Sequence, residues 1–401
     1  MKMKKPINRW WIVLGALIIQ LCLGAIYSWS VFVNPLKDTY GFTTTQTQAI
    51  FSVGLATFAL VMIFAGRWQD KTGPRKVAIV GGIFLGLGYI AAAFVGPSFL
   101  KLIALIGVVG GAGIGFGYVC PIAALIKWFP DKRGLISGLA VAGFGAGAWI
   151  FAKLASFFIT TWNLRAAFMN LGIIFLVAVI FGALFLRNPP KDWKPKGFRA
   201  KAAKKVAAKD FKWQKMIKTN QFWLLWLMFT FGAAAGLMVI GNLKPFGIHS
   251  GLPAAVAGSA VGILALFNGA GRIVWGSLSD KLGRTRAMFL MFLLQGIMVL
   301  ALMRMGSTAL LLTIASAWVG FNFGGNFALF PSATADYFGT KNVGVNYGLV
   351  FTSYGVAGII GPILGGRVFD LTGSYLYAFI PAGIVCLIAA VLSFFTKKPK
   401  K

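Results

Sequence analysis

The chain has 401 residues, of which 58% are apolar and only 12% charged, with a mean hydropathy of +0.80. A water-soluble protein is about one quarter charged, so this composition predicts an integral membrane protein. The 39 Lys and Arg residues far outnumber the 8 acidic residues, but the apolar content excludes a soluble nucleic-acid-binding protein. The positive charge is therefore expected to serve membrane topology and contacts with anionic lipid headgroups.

Twelve apolar segments, each long enough to cross a bilayer, follow one another along the chain. The basic N-terminus resembles the start of a signal peptide, but the apolar stretch after Trp10 and Trp11 is too long and ends without a small-residue cleavage site. We therefore interpret it as a retained first span, with both Trp side chains at the membrane interface. The predicted spans are residues 10–33, 45–66, 77–96, 99–126, 135–158, 166–186, 221–246, 254–278, 287–305, 309–335, 343–366 and 375–395.

The basic residues predict the orientation of these spans. Of the 39 Lys and Arg residues, 31 lie in the N-terminus, in every second loop and in the C-terminal tail. Positively charged loops stay on the cytoplasmic side, and an even number of spans places both termini together. We expect a monomer in the inner (plasma) membrane of a bacterium, with both termini cytoplasmic and the basic loops against anionic lipids.

One polar loop, residues 187–220, is much longer than the others and holds twelve basic residues. It is predicted to connect two six-helix halves, either as an amphipathic helix on anionic lipid or as a solvated linker. The predicted domains are an N-terminal bundle at 1–188, a connector at 189–219 and a C-terminal bundle at 220–401.

The two halves share a sequence repeat. The segment GRWQDKTGPRK at 66–76 recurs 210 residues later as GSLSDKLGRTR, each between the second and third span of its half. These loops resemble the signature loop of the major facilitator superfamily. The resemblance implies an all-α membrane protein with twelve transmembrane helices in two pseudo-symmetric six-helix bundles, and a central site reached alternately from either side.

The charges of the repeated loops are candidates for gating. They can pair across the bundle interface in one state and separate in the other, or they can serve only to fix the topology. The expected gating residues are Asp70, Arg75, Asp280 and Arg284.

Arg272 interrupts the eighth span, in which no other charge occurs. It lies eight residues from Asp280, which is about 12 Å along a helix and near the middle of a hydrocarbon core about 30 Å thick. A charge at that depth predicts a functional site, and a guanidinium can hold a carboxylate through two parallel hydrogen bonds. Asn268, one turn earlier, could orient Arg272 or bind the substrate, and Asn322 and Asn326 either line the site or join helices.

The other ionisable side chains are expected near helix ends. Lys153 lies close to the outer end of the fifth span, where its ammonium can reach water, and His249 follows the seventh span. No Asp falls in the middle of a span, so a buried carboxylate proton carrier is not expected. The sequence contains no Walker loop, paired-cysteine site or catalytic constellation. We therefore expect no enzyme, no cofactor, no metal site and no ATP-driven pump.

Five segments resemble the oxalate:formate antiporter family and its monocarboxylate-transporter relatives: YSWSVFVNPLKD, WFPDKRGLISG, FWLLW, LFNGAGRIVWGSLSDKLGR and NFALFPS. The resemblance implies a substrate-binding Arg at Arg272 and a second cation in helix 11, whose position falls on Tyr354 here. Monocarboxylate relatives place a proton-coupling Asp where this chain has Asn268, so proton symport by that route is not expected. The implied aromatic cage consists of Tyr27, Tyr118, Phe144, Phe323, Phe327 and Phe351.

The charge count favours a monocarboxylate substrate. One buried guanidinium balances one carboxylate, whereas an uncompensated second negative charge would cost several kcal/mol. We therefore predict a secondary transporter of small monocarboxylates such as lactate, pyruvate or formate. It would act by rocker-switch alternating access, as a proton-linked symporter or as an anion exchanger. The alternatives are an oxalate-type dicarboxylate:formate antiporter, with Lys153 or another residue as second cation, and a membrane sensor that has the fold without transport.

Overall fold

A computed structural model describes residues 8–42, 44–190, 193, 195, 210–302 and 304–398. The regular elements of these residues are helical, and twelve helices correspond one to one with the twelve predicted spans. The first, α1, is made of Trp10–Gly24, a 3-10 turn at Ala25–Ser28 and Ser30–Tyr40; the fourth, α4, is made of Phe99–Leu102, a π-helical stretch at Ile103–Gly110 and Gly111–Trp128. The others are α2 (Thr44–Thr72), α3 (Pro74–Ala92), α5 (Arg133–Thr161), α6 (Leu164–Phe185), α7 (Asn220–His249), α8 (Ala254–Leu282), α9 (Arg284–Ala301), α10 (Ala309–Phe338), α11 (Val343–Thr372) and α12 (Leu376–Ser393).

Ten of the described helices are long and apolar enough to cross a membrane. The other two are α10, in which Asn322 and Asn326 lower the hydropathy, and α12, whose described apolar part, Tyr377–Ser393, is slightly short. Several helices continue past the predicted apolar spans; α2, for example, runs six residues beyond 66, because polar residues extend the helix into the interface. The prediction of an all-α, multi-pass membrane protein is confirmed.

The helix boundaries follow local sequence signals. Asn163, Thr219 and Thr308 precede α6, α7 and α10, and each side chain accepts a hydrogen bond from a backbone N–H of the first turn. In the repeated loops, α2 and α8 end just before Gly73 and Gly283, whose φ angles of 90° and 87° favour glycine. The repeat therefore encodes the same turn in both halves.

The two halves meet along a few helix pairs: α2 packs on α11, and α5 packs on α8 and α10. We call the side of the molecule that carries the repeated loops, 66–76 and 276–286, the motif face. Both described ends of the chain lie there. Arg9 pairs with Asp131 of the α4–α5 loop at 3.1 Å, and the Thr396 carbonyl accepts a hydrogen bond from Tyr337, near the end of α10, at 2.9 Å. The charge pattern predicts that the motif face is the cytoplasmic one.

The predicted connector, residues 189–219, is described only in part. Residues 191–192, 194 and 196–209 lie outside the described residues, and with them most of the predicted amphipathic helix. From Asp210 the chain follows the motif face, where the backbone N–H of Phe211 donates to the Phe338 carbonyl at 2.9 Å. One helical turn, Trp213–Met216, precedes α7. The domain boundaries at 188 and 220 remain predictions.

Candidate functional site

Five residues from five helices lie at one depth in the molecule. Tyr118 and Arg272 are each ten residues from the motif-face ends of α4 and α8, and Phe144, Phe327 and Tyr354 are each eleven residues from those of α5, α10 and α11. This corresponds to about 16 Å along a helix, close to the middle of a bilayer. All five are at most 2% exposed. The helices thus bring one cation and four aromatic rings into one buried layer, which we call the central layer.

Arg272 lies between the two halves. Its Nε donates to Asn268 Oδ1 at 2.8 Å, one turn earlier on α8, and its Nη1 donates to the Val141 carbonyl of α5 at 2.6 Å. Asn268 therefore orients the guanidinium, which is one of the two roles predicted for it. A guanidinium has five N–H donors, so these two bonds leave further donors for a ligand.

Two aromatic rings complete the surroundings of the guanidinium. The Arg272 Cζ lies 4.4 Å from the centre of the Phe327 ring and 5.9 Å from that of Phe144. A cation over a ring face is attracted by the ring's quadrupole, more strongly where water is excluded. Phe144 belongs to the first half and Phe327 to the second. The charge is therefore solvated by protein groups of both halves.

Four Tyr hydroxyls lie within electrostatic reach of this charge. Arg272 interacts electrostatically with Tyr27, Tyr118, Tyr347 and Tyr354. The hydroxyls of Tyr27 in α1 and Tyr354 in α11 hydrogen-bond to each other across the two halves. Those of Tyr118 and Tyr347 are neighbours, and neither has a well-formed hydrogen bond to another described residue. The central layer can therefore offer a bound anion hydroxyl groups as well as one cation.

The predicted cage residues of the first half form one cluster. The Phe144 ring lies 5.2 Å from Tyr27 and 5.3 Å from Tyr118. Phe58 of α2 completes the cluster, 5.1 Å from Tyr118 and 6.4 Å from Phe144. Phe58 was not predicted, although the repeat holds a signal for it, since Phe58 stands 210 residues before Asn268.

The predicted cage residues of the second half also pack together. Tyr354 lies 5.0 Å from Phe351 and 5.3 Å from Phe327, and Phe323 contacts the outer side of Phe327 at 5.3 Å. Phe229 of α7 lies 5.9 Å from Phe351 and 6.0 Å from Phe327. No sequence signal distinguishes Phe229 from the other apolar residues of α7.

Three other polar residues that the sequence singled out, Asn322, Lys153 and His249, lie outside the central layer. Asn322 accepts a hydrogen bond from Trp275 Nε1 at 3.1 Å and so joins α10 to α8. Lys153 is exposed, and its ammonium lies 3.8 Å from the centre of the Trp149 ring. His249 is exposed at the outer end of α7. Lys153 therefore does not supply the second cation that a dicarboxylate site would need.

Asp70 links α2 to α11 at the motif face. Its two carboxylate oxygens accept hydrogen bonds from the backbone N–H groups of Gly344 at 3.1 Å and Val345 at 2.9 Å, in the first turn of α11. A carboxylate at this place pairs with unsatisfied N–H groups and with the positive end of the helix dipole. Arg75, a predicted gating residue, is exposed. Lys127 of α4 is the nearby cation instead, with its Nζ 3.7 Å from Asp70.

Asp280 makes the equivalent link between α8 and α5. It accepts hydrogen bonds from the backbone N–H groups of Gly134 at 2.8 Å and Leu135 at 2.9 Å, in the first turn of α5. Arg284, predicted to act with it, lies 2.9 Å from the same carboxylate. We call the Asp70 and Asp280 links the two gates, after the gating role that the sequence predicts for them and that stays a prediction.

An ion-pair network reinforces the second gate. Asp336, in the last turn of α10, accepts hydrogen bonds from Arg284 at 2.8 Å and from Arg133 of α5 at 2.6 Å. Arg133 belongs to the first half, so this network also joins the two halves. No role was predicted for Arg133 or Asp336, because ion partners from distant helices share no local sequence motif.

Glycines allow the gate helices to touch. A Cβ atom on Gly66 would collide with the Gly344 carbonyl, and a Cβ atom on Gly276 would collide with the Gly134 carbonyl. Gly276 and Gly344 follow Gly66 and Gly134 by 210 residues, so the repeat relates the two contacts. The motif face is thus closed by two backbone-to-backbone contacts, each beside a gate carboxylate.

The chain is similar in sequence and in fold to known transporters. A family model described as Major Facilitator Superfamily matches residues 13–361 and 249–401. The chain is 35% identical to the oxalate:formate antiporter of Oxalobacter formigenes, over 97% of this chain and 91% of that protein. It is 26% identical to monocarboxylate transporter 2 of Rattus norvegicus, over 96% of this chain and 83% of that protein. Among solved structures, the transporter FucP in the outward conformation matches with a TM-score of 0.72 at 15% identity, over 97% of this chain and 99% of that one.

Proposed function

Because the chain belongs to the major facilitator superfamily, we propose that it is a secondary transporter of small monocarboxylate anions. It moves anions such as lactate, pyruvate or formate across the membrane by rocker-switch alternating access, as a proton-linked symporter or as an anion exchanger. The observation that most directly supports this proposal is the position of Arg272, a cation buried at the centre of the membrane between the two halves.

The charge of the central layer suits one carboxylate. Arg272 is the one cation that the described residues contribute to it, and the residue at position 354 is a neutral Tyr. A guanidinium holds a carboxylate through two parallel hydrogen bonds, whereas a dianion would leave one buried negative charge unbalanced, at a cost of several kcal/mol. The Phe rings around Arg272 provide apolar surface for a short alkyl chain.

The two gates suit alternating access. With the motif face closed, Asp70 and Asp280 bind backbone N–H groups of the opposite half, and Arg133 pairs with Asp336. Opening this face requires these bonds to break while the halves rotate about the central layer. We place the motif face in the cytoplasm of a bacterial cell, with bundles at 1–188 and 220–401 as the moving bodies.

Exchange of a dicarboxylate for formate is the second candidate. The 35% identity with the Oxalobacter antiporter favours it. A dianion in the central layer would need its second charge to be balanced by Tyr hydroxyls, which donate single neutral hydrogen bonds and are weaker partners than a cation. We therefore rank it below the monocarboxylate proposal.

Uptake by the purified protein in proteoliposomes tests the proposal. Labelled lactate, pyruvate, formate and oxalate are offered with and without a pH gradient. We expect saturable uptake of at least one monocarboxylate and slower uptake of oxalate; stimulation by an inward proton gradient identifies symport. Preference for oxalate supports the second candidate. If folded protein takes up none of the four, the transport proposal is wrong and a sensor with this fold becomes the better interpretation.

A further inference from the structure

We infer that this transporter can reorient with an empty site, so that it supports net transport and is not restricted to one-for-one exchange. The inference rests on the proposed function and concerns the return step of the same cycle. It follows from how the protein solvates Arg272 when the central layer is closed.

A buried charge without partners resists closure of an empty site, because removal of the charge from water is costly and nothing in the protein compensates for it. Such a carrier would close only with an anion bound and would be limited to exchange. Closure of an empty site therefore requires protein groups that replace water around the guanidinium. Arg272 is only 1% exposed, so protein groups shield its guanidinium from water.

Four neutral groups hold the guanidinium in place. Asn268 Oδ1 and the Val141 carbonyl accept hydrogen bonds at 2.8 and 2.6 Å, and the rings of Phe327 and Phe144 face the charge at 4.4 and 5.9 Å. Asn268 and Phe327 belong to the second half, whereas Val141 and Phe144 belong to the first. The protein thus solvates its own cation with groups from both bundles, which are the bodies that must come together around an empty site.

This solvation is compatible with substrate binding. A helix carbonyl such as that of Val141 also accepts a hydrogen bond within its own helix, so it tolerates loss of the Arg272 bond to an incoming carboxylate. Arg272 retains further N–H donors for that carboxylate. The described residues also place no second cation in the layer to repel Arg272 when the anion leaves, since position 354 is a Tyr. The same layer can therefore close in both the loaded and the empty state.

Wild-type protein in proteoliposomes provides the first test. Labelled lactate, pyruvate and formate are each offered to vesicles without internal carboxylate and to vesicles preloaded with the same unlabelled anion. The membrane potential is clamped with K⁺ and valinomycin, and an inward proton gradient is imposed in parallel samples. We expect the initial rate of net uptake to lie within about tenfold of the exchange rate, a barrier difference of about 1.4 kcal/mol or less.

The outcomes separate the two proposals. Exchange without measurable net uptake, with or without the proton gradient, overturns the inference and leaves the proposed function intact. Absence of both exchange and net uptake for all three anions contradicts the proposed function itself.

A matched pair of variants tests the role of the ring faces. Phe327→Leu keeps an apolar side chain but removes the ring 4.4 Å from the guanidinium, whereas Phe175→Leu removes an equally buried ring in α6 that packs on Tyr89 and Phe151. We expect the ratio of net uptake to exchange to fall about tenfold in Phe327→Leu, as loss of one desolvated cation–π contact implies. The ratio should stay at the wild-type value in Phe175→Leu. Equal ratios in the two variants would overturn the role of the Phe327 ring in solvating Arg272. Because the measured quantity is a ratio of two rates, a lower yield of folded protein does not affect it.

Discussion

The charge of Arg272 is tolerated at the centre of the membrane because two hydrogen bonds and two ring faces replace its water. The sequence was sufficient to predict that Arg272, the one charge in an apolar span, lies deep in the molecule and that Asn268, one turn away, can orient it. It was not sufficient to identify the Val141 carbonyl, since every residue has a carbonyl and only tertiary packing selects one. The same reason kept Phe229 from the predicted cage, because its neighbours in space belong to other helices. Phe58 was also missed, although the repeat could have pointed to it, since it stands 210 residues before Asn268.

Substitution of Arg272 by Lys tests the need for a planar guanidinium. Arg272→Lys retains the charge but loses the parallel pair of hydrogen bonds to a carboxylate and the bond from Nε to Asn268. Loss of one charge-assisted hydrogen bond, worth about 1.5–3 kcal/mol, predicts a fall in kcat/KM of about tenfold to a hundredfold. Initial uptake rates in proteoliposomes, normalised to folded protein, give the value. Wild-type kinetics in this variant would remove Arg272 from the substrate site.

Substitution of Tyr354 by Lys tests the charge count. Tyr354 lies in the central layer and hydrogen-bonds to Tyr27, so a Lys at 354 would add a second cation close to Arg272. We expect Tyr354→Lys to raise the ratio of oxalate to monocarboxylate uptake by at least about tenfold, since the second negative charge would then be balanced. Tyr354→Phe is the matched control, because it removes the hydroxyl without adding charge and should not favour oxalate. An unchanged ratio in the Lys variant would refute the argument that one cation selects one carboxylate.

At the scale of the helices, each gate joins one helix pair: α2 with α11, and α8 with α5. Asp70 and Asp280 were predicted from the repeat, and each binds the first turn of a helix in the opposite half. The cations were harder to predict. Arg75 lies in the first turn of α3 and is exposed, while Lys127 reaches Asp70 from α4. A loop motif specifies its own turn and carboxylate, but the cation beside that carboxylate depends on which helix packs next to it.

A comparison of two glycines in α8 tests the backbone contact of the second gate. A Cβ on Gly276 meets the Gly134 carbonyl, whereas Gly262 in the same helix has open space around it. We expect Gly276→Ala to destabilise the closed motif face by about 1–3 kcal/mol, the usual cost of overpacking, and Gly262→Ala to leave it unchanged.

A single cysteine reports the effect. Ser137, fully buried in α5 and hydrogen-bonded to Ser332 of α10, is replaced by Cys. Maleimide labelling at this position should be faster in Gly276→Ala than in Gly262→Ala; the described native cysteines are buried and give little background. Equal labelling rates would show that the glycine contact does not control closure.

At the scale of the whole molecule, the number of apolar spans and the internal sequence repeat were enough to predict the architecture. The number of apolar spans and the 210-residue offset predicted twelve helices in two related bundles, and the family match and the fold comparison confirm this prediction and the resemblance to oxalate:formate antiporters. Which helices meet between the bundles was not predicted, because a repeat relates the halves without stating where they touch. The structure supplies that information through α2 with α11 and α5 with α8.

Removal of both gate charges should shift the whole molecule towards the state with an open motif face. In the double variant Asp70→Asn and Asp280→Asn, neutral amides replace the two carboxylates that pair with helix N-termini. We expect this to destabilise the closed motif face by about 1–2 kcal/mol per gate. Spin labels on Lys71→Cys and Lys281→Cys, two exposed positions related by the repeat, report the distance between the halves. We expect a larger population at the longer distance.

The control for that experiment is Asp131→Asn. It changes the same charge on the same face, but Asp131 pairs with Arg9 of its own half. Its distance distribution should match that of the protein with both gate charges present. If the double variant also matches, the gates do not set the balance between the two states.

The paired glycines also bear on the thermodynamics of the cycle. Where Gly66 meets Gly344 and Gly134 meets Gly276, closure brings backbone against backbone and freezes no side-chain rotamers. Ordering a long side chain costs up to about 2 kcal/mol, so closure at these points avoids that entropic penalty. The balance between open and closed states then depends mainly on the ionic groups beside the contact. The strength of closure can therefore change with these ionic groups while the geometry of the glycine contact stays the same. The two contacts show this, because they share one backbone geometry but lie beside two different sets of ion pairs.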